Sequence, residues 1–199
     1  MLSQYTEDQR DCLQEMCNVA LGQAADTLAR TLDVFVTLPI PIINIVKAGD
    51  LVGSLNVEAV EDGVYAVSQL FASKIEGSAL SGQALVMLSD TSLQELKILM
   101  PNLTSTHQLV AESGRLMAQS CLDALSEHWD LNFTAEEPRL VEHQPLGSLC
   151  EKLVSGWQTV LLVEINYQIE GRQFNGDLLL LFPDQAIQAL AQRLDQLLA

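Results

Sequence analysis

The stretch Asp11-Cys12-Leu13-Gln14-Glu15-Met16-Cys17-Asn18-Val19-Ala20-Leu21-Gly22-Gln23-Ala24-Ala25-Asp26-Thr27-Leu28 reads as one amphipathic helix. At ~100° per residue, Asp11, Glu15, Asn18 and Gly22 share one face. Leu13, Met16, Cys17, Ala20, Leu21, Ala24 and Leu28 lie on the other. The pattern predicts a helix over about 6–31, opened by a capping box between Thr6 and Gln9. Polar residues at helical spacing are ordinary on a solvated face. Two choices here are not ordinary. Asn18 is a poor helix former with no cap to serve in mid-helix. Gly22 is less stable in a helix than alanine by roughly 1 kcal/mol, and its lack of a side chain leaves room for another surface.

The same pattern returns 97 residues later, where Glu15, Asp26, Leu28, Asp33, Thr37 and Pro41 find Glu112, Asp123, Leu125, Asp130, Thr134 and Pro138. Beyond Pro41 the offset becomes 94: Gly53-Ser54-Leu55 matches Gly147-Ser148-Leu149, and Ile75-Glu76-Gly77 matches Ile169-Glu170-Gly171. Ordered matches at constant spacing indicate a duplicated unit. Each unit reads as a long helix (6–31; 105–128), a strand (34–38; 132–134), a short helical or irregular stretch, a hairpin turning at Glu76-Gly77 or Glu170-Gly171, and a closing helix (91–100; 185–198). Three strands with one long helix leave apolar surface uncovered. The expected architecture is therefore α+β: one domain over 1–199, made of two pseudo-twofold units of about 1–101 and 102–199. It holds a six-stranded, mostly antiparallel sheet, two long helices and two shorter closing helices.

With 26 acidic residues against 10 basic, the formal charge is -16, which argues against nucleic-acid and anionic-lipid partners. Apolar residues make up 48% of the chain, enough for a packed core. No run is long enough to cross a membrane, and residues 1–8 lack the marks of a signal peptide. Cys12, Cys17, Cys121 and Cys150 form no metal-ligand pattern, so no metal site is expected, and they read as small buried hydrophobes in a reducing cytoplasm.

The spacing Asp11-x3-Glu15-x2-Asn18-x22-Pro41, with the Gly22-to-Leu28 segment behind it, resembles the signature of the CheC/CheX/FliY phosphatases of bacterial chemotaxis. The duplication makes CheC the nearest likeness. That resemblance implies an enzyme that hydrolyses the aspartyl-phosphate of a CheY-type response regulator. Asn18 would position the attacking water, Glu15 would pair with the regulator's lysine, and Asp11 and Gly22 would line the contact. Mg²⁺ would be held by the regulator, with no cofactor belonging to this chain. Pro41 and Pro138 would shape the backbone. The second unit keeps Glu112 and Pro138 but has Gln108 in place of Asp or Ser, and Arg115 in place of Asn. Arginine has donors and no acceptor, so this second site reads as degenerate. The resemblance also admits a non-catalytic reading: an adaptor that docks a regulator, a CheD-type deamidase or flagellar switch components.

Overall fold

A computed structural model describes residues 5–56, 64–75 and 78–199. Its elements run α1 (Glu7–Leu32), β1 (Val36–Thr37), β2 (Ile42–Lys47), two single 3-10 turns (Ala48–Asp50 and Val52–Ser54), β3 (Val64–Ile75), β4 (Ser78–Leu88) and α2 (Asp90–Leu99). The order then repeats as α3 (Thr106–His128), β5 (Thr134–Ala135), β6 (Arg139–Gln144), α4 (Leu146–Leu153), β7 (Thr159–Ile169), β8 (Asn175–Pro183) and α5 (Asp184–Leu198). The α+β architecture with duplicated units is as expected. The Glu76-Gly77 turn lies outside the described residues, whereas Gly171 adopts φ 73° in the matching turn of the second unit.

Local chemistry explains the helix ends. Thr6 Oγ1 accepts from the Gln9 amide at 3.2 Å, and Gln9 Oε1 accepts from the Thr6 amide at 2.9 Å, which completes the capping box. Ser105 caps α3 through the Gln108 amide at 3.1 Å. Asp33 and Asp130, matched by the repeat, end α1 and α3 in the left-handed region at φ 54° and 48°. Each is followed by the same closing bond, from the Val34 amide to the Ala29 carbonyl and from the Leu131 amide to the Ser126 carbonyl.

The sheet differs from expectation in size. Among the described residues it has eight strands rather than six, in the order β1-β7-β8-β4-β3-β5, with β2 also on β7 and β6 also on β3. All pairs are antiparallel. The two additions are β2 and β6, each beginning directly after a signature proline, Pro41 or Pro138. Proline has no N–H to give a ladder and is tolerated at such a start. The strands expected at 34–38 and 132–134 shrink to the two-residue β1 and β5. Each half sends its first two strands to the other half's hairpin, so the two units complete each other's sheet.

Both faces of the sheet are covered. Leu178, Leu180 and Phe182 join the larger core with α1, α3 and α5, while Leu179 and Leu181 join a smaller core with Leu149, Cys150 and Leu51. The run 178–182 is therefore apolar without alternation, as a strand buried on both sides must be. Gly82 of β4 sits tightest in this core. A Cβ there would lie 2.5 Å from Phe71 Cζ and 2.7 Å from the Leu181 carbonyl oxygen. The carbonyl belongs to a paired strand and cannot step aside. Gly82→Ala is expected to cost about 3 kcal/mol, read as a lowered urea midpoint at unchanged m-value.

Glu164 of β7 is only 5% exposed. One carboxylate oxygen accepts from the Asn56 amide at 2.9 Å; the other has no partner among the described residues. Burial raises its pKa, and the Asp177 carboxylate adds to this. The folded state then holds a proton more readily than the unfolded chain. The penalty is full above the raised folded pKa and vanishes below the unfolded value near ~4.3. Stability is lost as pH rises through that window. The urea midpoint of Glu164→Gln, relative to wild type, should improve as pH rises from about 4 and level off once pH passes the raised folded pKa. A difference that does not change with pH would contradict this.

Candidate functional site

Helix α1 presents its site from a braced frame. Leu13, Cys17, Ala20, Leu21, Ala24 and Leu28 are buried along its inner side. Near its start, Tyr5 donates to the Ile187 carbonyl at 3.0 Å and Gln9 donates to Asp195 Oδ1 at 2.7 Å, both on α5. Along its middle, α1 meets the far end of α3: Gln23 donates to Glu127 Oε2 at 2.6 Å, and its Oε1 lies 2.9 Å from His128 Nε2. Leu28 and Leu32 of α1 line one small cavity with Ser113, Leu116 and Met117, further back along α3, so the two helices run antiparallel. The first-unit motif and its second-unit counterpart thus lie towards opposite ends of the pair.

On the outer face, Asp11, Glu15 and Gly22 are exposed and Asn18 is half-buried. Neither Asp11 nor Glu15 has a hydrogen bond or ion pair among the described residues. Gly22 has open space around it, with nothing within 4 Å of where a Cβ would be. Among the described residues, therefore, no packing requires glycine there. Asn18 is held from one side: Gln14 Nε2 donates to Asn18 Oδ1 at 3.3 Å and lies 3.3 Å from the Pro41 carbonyl oxygen. Pro41 itself is buried, with Ile40, 75% exposed, beside it. Val19, next to Asn18, is 46% exposed. Gln14, Val19 and Ile40 did not emerge from the motif. The exposed apolar pair was visible as Val19 interrupting a polar face and Ile40 between two prolines, but the Gln14 bridge depends on a contact 27 residues away.

The second unit is arranged differently. Arg115 grips Glu112 with two bonds, Nε to Oε2 at 3.1 Å and the terminal nitrogen to Oε1 at 2.5 Å. The guanidinium hydrogen bond holds the Glu112 carboxyl below its ordinary pKa, and Glu112 in turn raises that of Arg115. Glu112 is thus paired within its own helix, and no amide stands at the third position. The i,i+3 spacing of 112 and 115 was the signal for this pair. Gln108 is exposed, and Pro138 is half-buried at the foot of β6. Among the described residues, no group of three or more His, Cys, Asp or Glu is placed to hold a metal ion. No helix of the described residues is long and apolar enough to cross a membrane.

Two pseudo-twofold α+β units sharing one antiparallel sheet, with the two long helices paired on one of its faces, define the class of fold. No family model matches the chain, and no curated protein matches its sequence. Solved structures do match. FliY of Thermotoga maritima superposes with TM-score 0.68 at 17% identity, over 96% of this chain and 98% of that one. The FliM middle domain of H. pylori gives 0.65 at 11%, over 94% and 99%, and CheX of Desulfovibrio desulfuricans 0.51 at 10%, over 84% and 99%. The chain has the fold of the CheC/CheX/FliY proteins, as its motif and repeat led one to expect.

Proposed function

We propose that the chain is a phosphatase for a phosphorylated CheY-type response regulator, with one working site at Glu15 and Asn18. The observation that carries this reading is the contrast between the two units. Glu15 is uncommitted and stands one helical turn from a tethered amide, whereas Glu112 is paired with Arg115. In the proposed reaction the water oxygen bonds to phosphorus as the bond to the regulator's aspartate breaks. Inorganic phosphate, which keeps one of the water's two protons, and a free carboxylate result, and the other proton passes to solvent. Little covalent chemistry is asked of the phosphatase, because such transfers depend on positioning and charge neutralisation. Asn18 supplies a donor and an acceptor to hold the water in line. Glu15 fixes the approach by pairing with a regulator cation, Asp11 lies at the rim, and the bare backbone at Gly22 admits the regulator's surface. Mg²⁺ is assigned to the regulator.

The test is the decay of a regulator charged with acetyl phosphate, with and without the chain. Acceleration by wild type and by Arg115→Ala alike supports one site in the first unit. Binding without acceleration would replace this reading with that of an adaptor, whose docked partner could then be a regulator, a deamidase or a flagellar component.

A further inference from the structure

We propose that Gln14 is a positioning residue for Asn18, acting as a clamp between the helix and the sheet; the inference rests on the phosphatase reading above. The Gln14 amide nitrogen carries two protons and lies 3.3 Å from each of two oxygens, Asn18 Oδ1 and the Pro41 carbonyl. One group therefore serves both, with a proton for each. The Pro41 carbonyl is a firm anchor because the next residues, Ile42 to Lys47, are laddered onto β7. The chain of contacts runs from sheet to Pro41, to Gln14, to Asn18. The contact at Pro41 is to its main-chain carbonyl, so it depends on where the backbone runs and not on the proline ring.

The clamp fixes which end of the Asn18 amide faces outward. Oδ1 turns toward Gln14 and gives up one lone pair, leaving the Nδ2 protons and the second lone pair for water. A free asparagine on a helix samples several rotamers, and a docked complex whose amide is not yet aligned would have to order it before each turnover, at a cost in saturating rate. Gln14 meets that cost in advance.

A purely structural tether between α1 and the segment before β2 would show itself in stability. A positioning role shows itself in turnover. Gln14→Leu removes both donors, and Gln14→Glu keeps the shape but puts acceptor oxygens against two oxygens. Both variants should lower the saturating rate of regulator dephosphorylation about tenfold, with the half-saturating concentration within about twofold of wild type. By NMR, the Asn18 side-chain amide signals, assigned by their loss in Asn18→Ala, should become more mobile in Gln14→Leu. A saturating rate near wild type in both variants, or an Asn18 amide equally ordered without Gln14, overturns the clamp. Active wild type, inactive Asn18→Ala and fully active Gln14→Leu would remove this inference alone. Inactive wild type would remove the phosphatase reading and the clamp with it.

Discussion

Asn18→Ala abolishes the acceleration of regulator dephosphorylation, lowering the rate by about 10²-fold while leaving the fold and regulator binding in place. The magnitude follows from what the side chain is asked to do. A water misplaced by about 1 Å from its line of attack can cost 10²-fold, and alanine offers no polar atom to hold one. The fold should survive because Asn18 is half-buried and its bond to Gln14 is made at the rim. Alanine is also the better helix former, so the variant should melt no lower than wild type. Measuring the decay rate at saturating chain, the half-saturating concentration and the melting curve together separates the two effects. A variant that retains the wild-type saturating rate would rule out Asn18 as the water-positioning group.

Neither half of the chain folds as a monomer: 1–104 and 105–199, made separately, are expected to lack a cooperative urea transition, and mixing them should restore it. Alone, the first half leaves β1 and β2 without β7, strips β5 and β6 from β3, and exposes the β4 edge that pairs with β8. It also bares the face of α1 that packs on α3. At about 25 cal/mol per Å² of apolar surface, baring only about 600 Å² would offset even the upper end of the 5–15 kcal/mol by which a native domain is stable. The second half loses the mirror-image set. Circular dichroism and urea titration of each half and of the mixture would decide, and a cooperative transition from one monomeric half would contradict the reciprocal sheet.

The helices were legible because their signals are local: a 3.6-residue apolar stripe, Thr6 with Gln9, and Ser105 ahead of α3. The repeat was legible because Asp33 and Asp130, or Pro41 and Pro138, hold positions that the backbone itself demands. The sheet was harder. Residues 42–47 follow a Pro-Ile-Pro segment that reads as loop, and Arg139-Leu140-Val141-Glu142-His143-Gln144 alternates too weakly to stand out. Both are flanking strands, stabilised by a partner from the opposite half, and pairing across the chain leaves no local mark. At the candidate site, the helical face could be read from spacing alone. The Gln14 contact could not, because it joins α1 to a carbonyl beyond a turn. The Arg115 grip on Glu112 needed only three residues of spacing and the charge pair.

The prolines that precede β2 and β6 have one more consequence, and it concerns the company the chain keeps with its own copies. A long unbroken strand at a sheet margin is a template for intermolecular pairing and fibre growth. Here each margin is cut into a two-residue piece and a six-residue piece with a proline between them. An incoming strand would meet an interrupted row of donors and acceptors, on a molecule whose charge of -16 already repels its neighbours. The segment that holds the Gln14 clamp would thus also guard the chain against aggregation.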